Sequence, residues 1–297
     1  MSTYITGVIL TLLSSVSWAA GVMFFRKSGE TVTAFGVNVG KNVIGILLFS
    51  ITIPLVGGSY FPSSIPARDL WLIVISGVLG VGMGDLLFLA ALKMLGAGLN
   101  SIVGAVYTPL LVFGAVIFLG EPLSLSLILG TALVVIAIFV IATDKIKTRP
   151  KNLYLGIFTG IMGMFCTVAG ILLMKGPLMR HSLWWINWAR LISGLLFFAL
   201  YFPLRKDKQA IVSSLTHLGN WKTLALGGML GTYFAILFWT GGLSILPASV
   251  VGVLNQLTIV AIIVFARIFL KEPVTLRKVM AGTLACSGAF LATSNIL

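Results

Sequence analysis

The feature that most constrains this chain is that it is written twice. Residues 87–122, LFLAALKMLGAGLNSIVGAVYTPLLVFGAVIFLGEP, align without a gap on residues 238–273, FWTGGLSILPASVVGVLNQLTIVAIIVFARIFLKEP. Glu121-Pro122 then stands over Glu272-Pro273, 151 residues further on. Each copy runs from the end of an apolar helix through a tight turn of small residues into a second apolar run and its closing Glu-Pro. The echo continues on both sides. Gly77 and Gly80 fall on Gly228 and Gly231, and Gly130-Thr131 on Gly282-Thr283. With a shift of two residues, Gly7 and Gly21 match Gly156 and Gly170, and Asn38, Lys41 and Gly45 match Asn187, Arg190 and Gly194. A period near half of a 297-residue chain means one unit used twice.

Composition says where that unit lives. The chain is 59% hydrophobic and 9% charged, against about 25% charged residues in a soluble domain. It reads as an integral membrane protein. The net charge of +13 does not call for a nucleic-acid partner, because the basic residues sit in short clusters between apolar runs, as membrane topology requires. Cys166 and Cys286 lie inside apolar segments with no metal-ligand spacing. His181 and His217 are single loop histidines, GVGMG at 80–84 lacks the Lys-Ser/Thr of a phosphate loop, and no Walker motif occurs. No cofactor is expected.

Runs of about 20 apolar residues are long enough to span a bilayer. They predict ten spans near 5–24, 33–55, 70–92, 98–119, 125–142, 153–174, 184–203, 222–243, 247–268 and 276–294. The fold expected is all-α, two five-helix repeats over 1–146 and 153–297 joined by a basic linker at 147–152. Pro109 should bend the fourth span. With the N-terminus on one side, fifteen Lys and Arg fall in loops on the opposite side against three, Arg68, Lys175 and Arg180, on its own. The basic side is then cytoplasmic and both termini face outward across the inner membrane. An odd number of spans per half puts the second copy upside down. Two inverted halves have two near-equivalent packings, one open to each side, which is the basis of alternating access.

Five plus five spans, a Glu-Pro after the fourth span of each half and small-residue turns between the third and fourth resemble the EamA-type drug/metabolite transporters. The resemblance covers the full length. It implies a ten-helix bundle around a central cavity lined by the first four helices of each half, and export or exchange of small metabolites, amino acids among them. A lipid flippase or scramblase, and a membrane enzyme acting on a lipid-linked substrate, are the alternatives. The partners expected are a small-molecule substrate and the lipid bilayer, with the chain a monomer or homodimer.

Lys41, Asp85 and Arg190 are the full charges well inside predicted spans. Each costs about 2.5–3.5 kcal/mol at a helix centre on insertion scales, so each should face the bundle interior. Lys41 and Asp85 both lie roughly 12 Å from the same membrane face at 1.5 Å per residue, a match in depth that allows an ion pair. Arg190 is the repeat twin of Lys41, but Ile236 stands where a twin of Asp85 would be. It is thus a cation without an evident carboxylate and favours an anionic group on the substrate; the bland reading has it capping helix carbonyls or snorkelling outward.

Asn38 and Asn187 share a helix face with these cations. Tyr107, Asn255 and Gln256 are polar groups in matched spans, serving either substrate contact or helix–helix hydrogen bonds. Trp18, Trp188 and Tyr233 lie deep enough to wall a cavity, whereas Trp184, Trp185 and Trp221 suit the interfacial belt. Glu121 and Glu272 are expected to favour the N-termini of the helices that follow them.

Overall fold

A computed structural model describes residues 2–62, 65–104, 106–142, 152–217, 221–270 and 276–293. Among these residues the chain is helical, without a strand. Residues 147–151 of the 147–152 linker and Glu272-Pro273 lie outside the described residues.

The first half holds α1 (Ser2–Ser28), α2 (Ala34–Leu55), α3 (Ala67–Ser76), α4 (Asp85–Gly104), α5 (Tyr107–Leu119) and α6 (Leu125–Ala142). The second holds α7 (Leu153–Leu178), α8 (Leu183–Tyr201), the short α9 (Lys208–Thr216), α10 (Trp221–Gly227), α11 (Ala235–Ile245), α12 (Ala248–Leu254), α13 (Thr258–Leu270) and α14 (Leu276–Thr293). Among the described residues, six apolar helices are long enough to cross a membrane: 3–28, 34–55, 67–96, 153–178, 183–204 and 221–245. Shorter apolar helices accompany them, including Tyr107–Leu119 and Leu125–Ala137. Large apolar side chains such as Leu55, Phe118, Tyr154, Leu200 and Phe290 stand exposed around the outside, a surface suited to lipid and costly in water.

The sequence echo reappears as backbone. A π-helical segment joins α3 to α4 over Gly77–Gly84, and another joins α10 to α11 over Gly228–Phe234. These wide turns bring the backbone close to neighbours. A Cβ on Gly77 would lie 2.4 Å from the Arg190 carbonyl oxygen, and one on Gly21 would lie 2.3 Å from Gly231 Cα. GVGMG is therefore a packing element. Helix breaks repeat too: α5 begins afresh at Tyr107, and a 3₁₀ turn at Asn255–Leu257 separates α12 from α13. The break precedes Pro109, which sits in the first turn of α5, where its missing N–H costs nothing.

The tight connections use different residues. Gly96 adopts φ 76°, ψ 169°, a conformation open to glycine; in the second half Pro247 precedes α12.

The halves interlock. α1 packs on α11 and α7 on α4, so the first long helix of each half lies against a helix of the other; α6 and α14 pack together at the far end. Two expectations are corrected. Glu121 does not serve the helix that follows it; its carboxylate caps α12 of the opposite half. Trp185 is buried, its indole N–H donating to the Tyr60 carbonyl, because the chain at Tyr60 meets it and removes it from the belt.

Candidate functional site

A cavity of about 230 Å³ lies between the halves. Its walls come from the segments that depart from regular α-helix. Gly80 and Val81 belong to one π-segment, Asp85 follows it, and Gly104, Tyr107, Asn255, Gln256 and Thr258 flank the two helix breaks. Such breaks free backbone and side-chain polar groups at membrane depth, tolerated where they line a cavity. Trp18, Phe88, Met164, Ile171 and Trp239 supply the apolar wall. Val22 and Leu92 carry the cavity to within one turn of Arg26 and Lys93, at the basic end of the bundle.

The buried charges meet at Asp85. Lys41 Nζ, on a residue 1% exposed, donates to Asp85 Oδ2 at 2.6 Å. It also donates to Asn42 Oδ1 at 3.0 Å, Asn42 donates to Asn38 Oδ1 at 3.2 Å, and Asn38 donates to the Val81 carbonyl at 3.4 Å. This chain ties α2 to the π-segment and holds Asp85 from behind. Arg190 reaches the cavity from α8, and a Cβ on Gly80 would stand 3.1 Å from its Nη2. Its Nε is buried without a hydrogen-bond partner. Asp85 is the carboxylate whose charge reaches it; Arg190 is thus less isolated than the sequence suggests, although it shares that carboxylate with Lys41.

The profile of the EamA-like transporter family matches residues 5–143 and again residues 154–294. The chain belongs to the EamA-like transporter family. An uncharacterized transporter of Archaeoglobus fulgidus is 23% identical over 272 residues, covering 92% of each chain. The uncharacterized transporter YvbV of Bacillus subtilis is 31% identical over 149 residues, 48% of this chain and 46% of that one. A crystal structure with 15% sequence identity superposes with a TM-score of 0.80 over 97% of this chain and 96% of its own, a likeness of fold.

In this EamA-like transporter, Asp85, Tyr107, Arg190, Asn255 and Gln256 come together on the cavity wall. Tyr107 interacts with Trp239 and Asn255, Ser15 Oγ donates to Asn255 Oδ1 at 3.2 Å, and Gln256 Nε2 donates to Thr108. Trp18 joins them on the apolar wall, as expected; Lys41, Asn38, Asn187, Trp188 and Tyr233 do not line it. Lys41 and Asn38 stand behind Asp85. Asn187 donates to Thr240 Oγ1 at 2.8 Å, Trp188 Nε1 donates to Ser50 Oγ at 2.8 Å, and Tyr233 shares a hydrogen bond with Thr52 at 2.6 Å. These three are spent on contacts between helices.

Sequence reasoning missed Ser14, Phe88, Asn100, Thr167 and Trp239 as lining residues. One signal was available for two of them: Phe88 and Trp239 are aromatic at matched positions of the echo.

Proposed function

We propose that this transporter moves small carboxylate-bearing metabolites, amino acids and related compounds, across the cytoplasmic membrane by export or exchange. The observation that carries this reading is Arg190: a guanidinium on the cavity wall, 5% exposed, with a buried Nε–H that has no acceptor. A guanidinium in that setting gains most from a carboxylate, which accepts two parallel hydrogen bonds from it. The rest of the wall is largely apolar, the usual composition of a small-molecule site.

The mechanism proposed is alternating access by two inverted five-helix halves, ten spans in all, with both termini on the outer side. The repeated π-segments, the repeated helix breaks and the reciprocal packing of α1 on α11 and α7 on α4 support it. In this conformation the cavity extends toward the basic end. At the other end, Asp69 of the first half is held by Arg180 at 2.7 Å and by His181 at 2.8 Å from the second. Opening outward would part those contacts.

The test is uptake of labelled amino acids and other carboxylates into sealed proteoliposomes, comparing the wild type with Arg190→Ala. Uptake lost in the variant supports the reading. Carboxylate uptake indifferent to the substitution removes Arg190 from the site, and movement of labelled lipid without any soluble substrate points to a flippase. Reporter fusions at each terminus test the orientation.

A further inference from the structure

We infer that, within the carboxylate-bearing class, the cavity takes net monoanions, 2-oxo and 2-hydroxy acids, in preference to the zwitterionic amino acids of the same skeleton. The inference rests on the reading of Arg190 as the carboxylate anchor and narrows it.

Charge is the first ground. Among the described residues lining the cavity, Asp85 and Arg190 are the charged ones. Asp85 is already paired at 2.6 Å with buried Lys41, which the Asn42–Asn38 chain holds in place. Lys41, Asp85 and Arg190 together carry one uncompensated positive charge. A monoanion brings that sum to zero. A zwitterion leaves it unchanged and adds an ammonium beside the Arg190 cation, where the carboxylate, Asp85, is already paired with Lys41. Inside a bundle shielded from water, like charges at close range and unpaired ions are costly.

Hydrogen bonding gives the second ground, independent of the first. Among the described lining residues, Arg190 Nε and Asn100 Nδ2 are buried side-chain polar atoms without a partner. Both are N–H donors. Asn255 Oδ1 nearby already accepts from Ser15. An ammonium offers three donors and no acceptor, so it adds to the surplus. A keto or hydroxyl oxygen at the same carbon is an acceptor and satisfies part of it. A site with buried donors rejects the analogue that leaves them unpaired.

The test uses matched sets with one carbon skeleton each. The amino acid, 2-oxo acid and 2-hydroxy acid of the alanine, valine, leucine and phenylalanine skeletons are compared for uptake, and for competition with one another, in proteoliposomes of the wild-type protein. The oxo or hydroxy acid of the accepted skeleton should be taken up or compete better by about tenfold or more. An inside-positive potential set with potassium and valinomycin should accelerate its entry and leave the amino acid unaffected. Asn100→Leu, which keeps the bulk and removes the amide donor, should shrink the preference. An amino acid handled as well as or better than its oxo and hydroxy partners overturns the inference and leaves Arg190 as carboxylate anchor. If no member of any set moves or competes, both fall.

Discussion

Glu121 and Ser249, 128 residues apart in sequence, are joined by two hydrogen bonds. Glu121 Oε2 accepts from Ser249 N at 3.0 Å and from Ser249 Oγ at 2.6 Å, while Oε1 accepts from Ala248 N at 2.6 Å. A carboxylate just beyond α5 of one half thereby supplies the N-terminal cap of a helix in the other. A carboxylate there satisfies orphan N–H groups and meets the positive end of the helix dipole. Lys175 donates to the carbonyls of Leu243 and Leu246 at the end of the preceding helix, so the 243–249 turn is gripped from both sides.

Replacing Glu121 with Ala should lower stability by about 0.5–2 kcal/mol, the range for a lost helix cap. Ser249→Ala should cost less, since both backbone bonds survive. Thermal unfolding in detergent orders the two; equal losses would mean that Glu121 acts only through the serine hydroxyl.

The Lys41–Asp85 pair makes a sharper prediction. Breaking a buried pair from one side strands a charge at a cost of about 3–5 kcal/mol, whereas replacing both by apolar groups is often neutral. Asp85→Asn alone should therefore destabilise more than Lys41→Met with Asp85→Leu. A double variant weaker than the single one would show the pair to be a net source of stability.

Gly21 meets Gly231 backbone to backbone. A methyl group at Gly21 would stand 2.3 Å from Gly231 Cα, and neither backbone can move without shifting a helix. Gly21→Ala should cost about 1–3 kcal/mol, as overpacking does. A methyl group at Gly104 would meet nothing within 4 Å, so Gly104→Ala should leave the melting temperature nearly unchanged.

Arg205 and Asp207 test pH. The Arg205 guanidinium, hydrogen-bonded to Asp207 at 2.7 and 2.8 Å, holds that carboxyl below its usual range. A depressed folded value means that the pair's stabilisation is complete above the unfolded pKa of about 3.9 and is lost as pH falls through the folded one. Both side chains are partly exposed, so the effect is about 0.2–1 kcal/mol. Arg205→Gln should melt slightly below wild type at pH 7, with the gap closing under strongly acidic conditions.

Much of this was legible beforehand because it depends on spacing alone. A run of apolar residues sets a span, and residues from the membrane face set depth, which is why Lys41 and Asp85 were matched before any packing was known. The placement of α6 at 125–142 agrees with the run read from sequence for the same reason. Spacing also set Asn187 and Arg190 on one helix face.

What spacing does not contain is the neighbour. Asn187 and Arg190 share that face, yet Thr240 takes the first and the cavity the second. Glu121 looked committed to the helix that follows it until the opposite half brought α12 within reach. Asn100 became a candidate donor only when packing buried its N–H group without an acceptor. Local periodicity was enough to place the long apolar helices and to match Lys41 with Asp85. The tertiary structure decided which polar groups are satisfied, because a hydrogen bond requires two atoms within about 3 Å and the second atom here usually belongs to the other half of the chain.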